Sequence, residues 1–295
     1  MQNTEKNIMV GIGEILWDML PKGRQMGGAP ANFACHATQL GNTGIVVSAV
    51  GRDDDGAAIL DLLDQKKVKH CISVHDYPTG VVSVSVDERG TADYIIHEDA
   101  AWDHIQLNEK HLELARRADV VCYGTLASRD NDSAGAIWTF LEHAKNSSIR
   151  LFDINLRQHY YSRETINKLL QVSTVLKLND DELVVLQEYL QQSGAETPFL
   201  QYLCDSYSLD MVILTRGGEG SRLFSPSRGD SILPGEPLEV VDTVGAGDSF
   251  SAAVATGLLL DYPLQVTHRL AARVAAFVCA HSGATPELPS LQELL

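Results

Sequence analysis

Apolar and polar residues follow two different periods along the chain. Short apolar runs, at Ile8–Ile12 and Gly44–Val50, predict buried β-strands. Longer stretches with apolar residues at helical spacing, at Ala29–Leu40 and Asp54–Lys67, predict helices that follow these strands. The N-terminal part of the chain is therefore predicted to alternate between strand and helix.

The same alternation continues through the second half of the chain. Strands are predicted at Asp119–Tyr123, Arg150–Ile154, Thr174–Leu178 and Met211–Thr215, and helices at Ser133–Lys145, Arg163–Val172, Asp180–Tyr189, Gly247–Leu260 and Leu264–His281. Ser221–Val241 is rich in β-forming residues, and Gln191–Thr197 has the composition of a loop. Alternating strands and helices indicate a parallel sheet covered by helices. We therefore predict an α/β fold with a doubly wound, mostly parallel sheet, in which ligands bind beyond the carboxyl ends of the strands.

One region departs from this alternation. Gly80–Val86 is rich in valine and alternates, Asp87–Gly90 consists of turn residues, and Thr91–His97 is β-like again, which predicts an antiparallel hairpin. We predict a small antiparallel β element built from about residues 14–24 and 79–103. Because the chain has no internal repeat and no long linker, we predict one domain over residues 1–295 that carries this element.

Charge and cysteine content narrow the function classes. With 39 acidic and 23 basic residues the net charge is −16, which disfavours a general nucleic-acid binder and a protein that binds anionic membranes. No segment approaches the ~18 apolar residues of a membrane span. The five cysteines are scattered, so neither a zinc site nor a disulfide framework is predicted. Together with a polar N-terminus that does not resemble a signal peptide, this favours the cytoplasm.

The strongest chemical signal is the run Asp242–Phe250, between a β-rich stretch and a predicted helix. Two glycines, Gly245 and Gly247, allow a tight turn, and the free amides at the start of the helix favour an anion there. Asp248 lies beside that anion site, where a carboxylate can accept a proton from an attacking hydroxyl. Gly245–Asp248 alone is more typical of a turn before a helix with an acidic first turn, and only the whole nine-residue run favours the anion site.

This nine-residue run resembles the C-terminal signature of the ribokinase-like sugar kinases, also called the PfkB family. The resemblance implies ATP-dependent phosphorylation of a sugar hydroxyl, with Asp248 as general base. It also implies an anion hole formed by the backbone N–H groups of Gly245, Ala246 and Gly247. The sequence contains no Walker A pattern, and no Gly-x-Gly-x-x-Gly follows the first strand, so the phosphates need a different cradle.

Three segments resemble the sugar-binding parts of the same family. Gly27–Asn32 resembles its N-terminal signature, and Gly13–Asp18 resembles the segment whose aspartate holds sugar hydroxyls. Asp153–Arg157 resembles the Asp-x-Asn-x-Arg run of fructokinases and 2-keto-3-deoxygluconate kinases. The resemblance assigns the substrate to Asp18, Gly27, Gly28, Asn32 and Arg157. From the residues alone, Gly27–Asn32 is also compatible with a turn that leads into a helix, and Arg157 with a structural ion pair.

Three later segments resemble the parts that bind ATP and metal ions. Lys177–Glu182 resembles the Asn-x-x-Glu element, Thr215–Gly220 the ATP-binding loop, and Val278–Ala284 the segment that closes over adenine. The resemblance assigns ATP to Lys177, Asn179, Thr215, Gly217, Gly220 and Ser282, Mg²⁺ through water to Glu182, and a K⁺ ion to Asp242, Val244, Val278, His281 and Gly283. From the residues alone, Asn179 also caps a helix, and the glycines of Thr215–Gly220 also suit a hairpin turn. Glu287 stands where some relatives have a small polar residue, which leaves the need for K⁺ open.

The hairpin at 79–98, with the small antiparallel element to which it belongs, resembles the lid by which these kinases cover the sugar, and the residues around this lid bear on the substrate. Tyr77–Gly80 and His97–Asp103 resemble bacterial fructokinases in particular, so the first prediction is conversion of fructose to fructose 6-phosphate. The alternative substrate is 2-keto-3-deoxygluconate, whose carboxylate would also suit Arg157. An alternative of another class is a non-catalytic protein that binds a sugar or a nucleotide on the same fold.

The lid also bears on the oligomeric state. Two exposed strands are marginally stable alone and leave an open edge. Pairing the lids of two subunits would cover that edge, so we predict a homodimer. The alternative is a lid that packs only on its own domain.

Overall fold

The computed structural model describes residues 6–20, 23–86 and 92–295 and contains two sheets. The strands are β1 (Ile8–Ile12), β2 (Leu16–Leu20), β3 (Gly23–Gly27), β4 (Thr43–Gly51), β5 (Lys69–His75), β6 (Gly80–Val86), β7 (Ala92–Ile96), β8 (Val120–Tyr123), β9 (Ile149–Asp153), β10 (Val175–Asn179), β11 (Met211–Thr215), β12 (Gly220–Ser225) and β13 (Gly229–Pro234). The helices are α1 (Ala29–Gln39), α2 (Asp54–Gln65), α3 (Glu109–Arg117), α4 (Asn131–His143), α5 (Arg163–Leu170), α6 (Asp180–Tyr189), α7 (Glu196–Tyr207), α8 (Ala246–Leu259), α9 (Leu264–Cys279) and α10 (Leu291–Leu294).

The large sheet has the strand order β13-β12-β11-β10-β9-β8-β1-β4-β5. All neighbouring pairs from β11 to β5 are parallel, and only β12 and β13 at one edge are antiparallel. The prediction of a mostly parallel, helix-covered α/β sheet is therefore confirmed. None of the helices in the described residues combines the length and hydrophobicity that a membrane span needs.

Apolar layers cover both faces of this sheet, which explains the short apolar runs. Along β8, Val121 and Tyr123 lie in the layer that contains Phe140, whereas Val120 and Cys122 lie in the layer that contains Phe250. Successive residues of a strand point to opposite faces, so a strand that is buried on both faces has no polar positions. The continuous apolar runs in the sequence therefore indicate strands that are buried between two layers of helices.

The chain changes direction across the sheet at β1. From β1 it builds β4 and β5 on one side, and it later returns to build β8 and the following strands on the other side. Ligands in open α/β sheets bind at such a reversal, beyond the carboxyl ends of the strands. The segments that begin at Gly13, Gly124 and Ile154 follow β1, β8 and β9 and therefore lie at this edge.

The lid is a separate sheet with the order β3-β2-β6-β7. The pairs β2–β3 and β6–β7 are antiparallel as predicted, whereas the central pair β2–β6 is parallel, with Asp18 opposite Val82. Both central strands leave the carboxyl edge of the large sheet, so they run in the same direction. The lid extends to Gly27, beyond the predicted limit, and the turn predicted at Asp87–Gly90 lies outside the described residues.

The sequence pattern did not predict every element of the fold. Strand β5 and helices α3 and α7 were not predicted, and α7 begins at Glu196, within the stretch that was assigned to a loop. Strand β5 lies at the edge of the sheet and is mostly half-buried, so it lacks a continuous apolar run. These elements contain polar residues because they lie at the surface. Their mixed pattern of polar and apolar residues therefore did not indicate a strand or a helix.

A buried ion pair anchors the end of the lid to the domain. Arg129 binds both carboxylate oxygens of Asp103, at 2.7 and 2.8 Å, and donates to the carbonyl of His97 at 2.6 Å. Its guanidinium also lies over the rings of Trp102 and Tyr160, with its carbon 4.1 and 4.7 Å from their centroids. The carboxylate of Asp103 thus compensates the charge of Arg129. The same contacts hold the segment that follows β7 against the residues that precede α4.

A buried histidine joins α9 to the antiparallel edge of the sheet. Nε2 of His268 lies 2.8 Å from Oγ of Ser221 on β12, and Nδ1 lies 2.8 Å from Oγ of Ser231 on β13. Burial lowers the pKa of His268 from 6.5 to about 4. Because an exposed histidine in the unfolded chain binds a proton at higher pH, the unfolded state binds more protons between these values, and stability falls as the pH falls through them.

We predict that His268 makes the fold acid-sensitive. One pKa unit corresponds to about 1.4 kcal/mol, so this histidine removes roughly 3 kcal/mol from the free energy of unfolding by about pH 4. His268→Gln cannot gain a charge, so the variant should be less stable at neutral pH but lose less stability on acidification. Urea unfolding of both proteins across this pH range measures the two slopes, and equal slopes would contradict the prediction.

Candidate active site

The start of α8 carries the glycine turn at which the sequence predicts an anion site. Gly245 precedes the helix with φ +78°, and a Cβ there would lie 2.3 Å from the carbonyl oxygen of Ala284. Both the left-handed backbone and the close contact require glycine. The same Ala284 oxygen lies 2.9 Å from Nε2 of His36 on α1, so three segments meet at this turn. The first amides of a helix have no partner in a preceding turn, and N–H of Ala246 makes only a long bond of 3.3 Å to the carbonyl of Thr243.

A buried lysine lies against this helix start. A Cβ at Gly247 would lie 2.9 Å from Nζ of Lys177, and the same Nζ pairs with Oδ1 of Asp153 at 2.9 Å. Burial is the largest single influence and lowers the pKa of Lys177, but the carboxylates of Asp153, Glu182 and Asp248 together outweigh it, so the pKa is raised. The ammonium group therefore stays charged beside the first turn of α8. Lys177 was predicted to bind ATP, and this position is next to the predicted site of the phosphates.

Asp248 lies in the first turn of α8 and is half-buried. Its Oδ2 accepts a hydrogen bond of 2.8 Å from Nδ2 of Asn32 on α1. Burial raises the pKa of Asp248 to about 6, and the charge of Asp153 acts in the same direction, whereas Asn32, Lys177 and Arg157 lower it. The carboxylate is thus mostly ionised at neutral pH but basic enough to accept a proton. Asn32, predicted as a substrate ligand, also orients this carboxylate.

Asp18 brings the lid to the same cleft. It lies on β2, and Gly27 on β3 leaves the space that its carboxylate fills, since a Cβ at Gly27 would lie 2.1 Å from Oδ2. Gly28 has φ +108°, and a Cβ there would lie 2.3 Å from the carbonyl oxygen of Glu14. Burial raises the pKa of Asp18 to about 6, and the charge of Arg157 lowers it. The predicted sugar residues of the two lid strands are therefore adjacent.

Arg157 approaches from the loop after β9. Asn155 and Gln158 in this loop have φ values of +41° and +49°, so the backbone reverses sharply around Arg157. The guanidinium is exposed, and its charge lowers the pKa values of Asp18, Glu14 and Asp248. Its charge therefore acts on carboxyl groups from three separate segments, the one after β1, strand β2 and helix α8.

Glu182 links this loop to the start of α6. Its Oε1 accepts from N–H of Leu156 at 2.9 Å and its Oε2 from N–H of Asn179 at 2.8 Å, while Oδ1 of Asn179 accepts from N–H of Glu182 at 2.8 Å. Burial raises the pKa of Glu182. Each carboxylate oxygen keeps a second lone pair that can accept from water. The arrangement fits a water-mediated contact with Mg²⁺, which normally retains several waters.

The candidate nucleotide loop follows β11. Thr215 is the register neighbour of Asn179, so these two predicted ATP residues lie side by side. Gly217 and Gly220 have φ values of +50° and +110°, which gives the loop a backbone that other residues rarely adopt. Arg216 turns away to Glu196, where Nη2 lies 2.6 Å from both carboxylate oxygens. Thr215 and the loop backbone remain to contact a ligand.

The candidate K⁺ residues are only partly brought together. Oδ1 of Asp242 accepts from N–H of Val244 at 3.0 Å, and its Oδ2 accepts from N–H of Gly283 at 3.1 Å. Val278 and His281 instead bind each other at the end of α9, where N–H of His281 donates to the carbonyl of Val278 at 3.0 Å. The carboxylate of Asp242 thus joins the segments of Val244 and Gly283, whereas the carbonyl of Val278 accepts a hydrogen bond within its own segment.

Ser282 lies near the lid. It lines a cavity of about 290 Å³ together with Gly283, Trp17, Gln25 and Lys66. A Cβ at Gly283 would lie 3.3 Å from Oε1 of Gln25, so strand β3 of the lid contacts the segment after α9. The structure therefore places this predicted ATP residue close to the lid.

Two buried carboxylates of the site were not given a role from the sequence. Glu14 and Asp153 are each 3% exposed, and they lie at the carboxyl ends of β1 and β9. Each occurs inside a motif that had been assigned through another residue. The available signal was an acidic residue at the end of an apolar strand, where a side chain faces the ligand edge of the sheet.

Comparisons with known proteins agree with this geometry. The family described as pfkB family carbohydrate kinase matches residues 23–291. Fructokinase-2 of Oryza sativa subsp. japonica is 26% identical over 322 residues, which cover 99% of this chain and 94% of that relative. The putative sugar kinase PH1459 of Pyrococcus horikoshii is 26% identical over 273 residues, which cover 85% of this chain and 83% of that relative.

Solved structures share the whole fold. The crystal structure of PH1459 has a TM-score of 0.82 at 25% identity and covers 98% of this chain and 96% of its own. A fructokinase with bound ATP from Xylella fastidiosa has a TM-score of 0.85 at 23% identity over 98% of this chain and 97% of its own. Because the family match extends over nearly the whole chain, the chain belongs to the pfkB family of carbohydrate kinases.

Proposed function

We propose that this carbohydrate kinase transfers the γ-phosphoryl group of ATP to fructose and forms fructose 6-phosphate. The observation that carries the proposal is the carboxylate of Asp248, held by Asn32 at the start of α8 with the ammonium of Lys177 beside the same helix turn. A base, an anion site and a fixed cation within one turn are what phosphoryl transfer to a hydroxyl needs.

In the proposed reaction, Asp248 accepts the proton of the sugar hydroxyl as its oxygen attacks the γ-phosphorus and the bond to ADP breaks. The amides of Gly245, Ala246 and Gly247 and the ammonium of Lys177 stabilise the charge on the transferred group. Asp18, Gly27, Gly28, Asn32 and Arg157 position the sugar, so that most of the rate enhancement comes from orientation and electrostatics.

The nucleotide would lie beyond β10 and β11. Asn179, Thr215 and the glycine-rich backbone at Gly217 and Gly220 would contact it, and Ser282 would approach from the segment after α9. Glu182 would hold Mg²⁺ through water, and the ion would supply neutralisation of phosphate charge. For K⁺, Asp242, Val244 and Gly283 would supply ligands, and Val278 and His281 would have to rearrange.

The charges of the cleft favour a neutral sugar. The charge of Arg157 lowers the pKa values of Asp18, Glu14 and Asp248, so it acts on the same region as these carboxyl groups. A carboxylate on the substrate would meet the charges of Asp18 and Asp248 as well as that of the arginine. This balance favours fructose over 2-keto-3-deoxygluconate, and relatives that are named fructokinases support the same choice. With the proposed base and the glycines of the anion site in place, we disfavour a non-catalytic binding protein.

We also propose that two subunits pair through their lids, in the cytoplasm. Met19, Ser83 and Ile95 are in register across β2, β6 and β7, so their side chains share the face opposite Asp18. Met19 and Ile95 are 44% and 48% exposed. A second lid would cover these apolar side chains.

Asp248→Asn should lower kcat by about 10²–10⁴, because the amide cannot accept the proton. ATP affinity should change little, since Asp248 acts on the sugar hydroxyl. Coupled detection of ADP release gives kcat, and calorimetric titration gives ATP binding. Asp61→Asn on the exposed side of α2 serves as the matched control. Near-normal turnover of Asp248→Asn would refute the assignment.

A substrate panel tests the choice of sugar. We expect kcat/KM for fructose to exceed that for 2-keto-3-deoxygluconate by at least about tenfold, because the acid meets repulsion from the carboxylates of the cleft. ADP release is measured with fructose, other neutral sugars and sugar acids at equal concentrations. A preference for the sugar acid would reverse the assignment, and Arg157→Gln should then abolish that preference.

Light scattering at micromolar concentration should give the mass of a dimer. Ile95→Glu places a charge on the apolar face of the lid and should shift the protein to monomers, because burying an unpaired charge is costly. Ile232→Glu changes another exposed isoleucine, on the edge strand β13, and should leave the dimer intact. A monomeric wild-type protein would rule out the pairing of lids.

A further inference from the structure

Glu14 is a buried carboxyl group that the proposed mechanism does not use. It lies between β1 and β2 and is 3% exposed. Its Oε1 accepts from N–H of Ala29 at 3.1 Å, which fixes it to the first residue of α1. Its Oε2 is fully buried and makes no hydrogen bond within the described residues. An ionised carboxylate has only acceptors, so a bare buried oxygen of this kind is costly.

A second acceptor without a donor lies on α1, about one helical turn beyond the Ala29 amide that binds Glu14. N–H of Asn32 donates to the carbonyl of Gly28, and Nδ2 of Asn32 donates to Asp248. Its Oδ1, however, is buried and lacks a donor among the residues that the structure describes. Glu14, bound to the first residue of α1, and Asn32 in the next turn thus each hold a buried acceptor oxygen that lacks a proton donor.

A proton on Glu14 would give both buried oxygens a hydrogen-bond partner. Protonation turns Oε2 into an O–H donor, and the free oxygen of Asn32 can accept it. We propose that Glu14 is protonated in the working enzyme and donates to Oδ1 of Asn32, which makes it a positioning residue for Asp248. This inference rests on the proposed role of Asp248 as the base. The proposed hydrogen bond would join two observed contacts, from Ala29 to Glu14 and from Asn32 to Asp248.

The charged groups around Glu14 agree with this state. Burial, helped by the charge of Asp248 on α8, raises its pKa to about 7, although the backbone N–H groups of Glu14 and Ala29 and the charge of Arg157 after β9 act to lower it. The ion pair of Asp153 and Lys177 lies deeper, beside Asp248. Bound phosphates would add negative charge and favour the proton on Glu14 still more.

The two carboxyl groups then require opposite protonation states. Asp248 must be ionised, so activity should rise as the pH rises through about 6. Glu14 must be protonated, so activity should fall as the pH rises above about 7. The expected dependence of kcat/KM on pH is a bell with one limb from each residue.

The variant Glu14→Gln tests whether the alkaline limb of the pH profile belongs to Glu14. The amide keeps an oxygen for N–H of Ala29 and supplies an N–H for Oδ1 of Asn32, but it cannot ionise. At saturating ATP, kcat/KM for the sugar should therefore lose the decline above about pH 7 and keep the acid limb. Glu14→Ala supplies no donor, and its kcat should be lower than that of Glu14→Gln by at least about tenfold across the range. A Glu14→Gln profile identical to that of the wild type would overturn the proposal.

An infrared difference spectrum tests protonation without activity. The carbonyl band of a protonated carboxyl group should be present near neutral pH in the wild type and absent in Glu14→Gln. Glu113→Gln on the exposed face of α3 should keep the band and the wild-type pH profile. A band that persists in Glu14→Gln would overturn the proposal even if Glu14→Ala does not fold. Turnover by Asp248→Asn would refute the base, but it would leave the band of Glu14 in place, so the two failures are distinguishable.

Discussion

The buried ion pair between Lys177 and Asp153 is the interaction on which the site depends. It joins β9 to β10, and Asp153 also accepts from Oγ of Ser251 on α8 at 3.4 Å. One contact set therefore fixes the direction of the helix whose start forms the anion site. Removing either partner would leave an unpaired buried charge, at a cost of about 3–5 kcal/mol. The pair keeps a positive charge next to the glycines of α8 without exposing it to water.

The lid depends on a different kind of contact. Trp17 on β2 donates to the carbonyl of Asp55 on α2 at 3.0 Å, and Arg24 on β3 lies over the ring of Trp17. At the other end, Arg129 holds the return from β7 through Asp103. The first contact ties β2 to α2, and the second ties the segment after β7 to the residues before α4, so both halves of the lid are anchored to the domain.

Most elements of the fold follow from the chain read by itself. The apolar strands at the centre of the large sheet and the helices around them were predicted within a few residues, because burial on two faces leaves no polar positions. Strand β5 and helices α3 and α7 were missed because their half-exposed positions give a mixed pattern. The parallel pairing of β2 with β6 was also missed, since pairing depends on where two distant segments leave the large sheet.

The sequence by itself determined the alternation of strand and helix, the glycine turn before α8 and the identity of Asp248 as the candidate base. These features are local, because a turn, a helix start and an apolar period each occupy neighbouring residues. Only the tertiary structure decided that Asn32 holds Asp248, that Lys177 stands beside the anion site and that Glu14 lies buried without a donor for Oε2. Those contacts join residues that are far apart in the chain, and their energies depend on burial and on the charges of other segments, which no local pattern records.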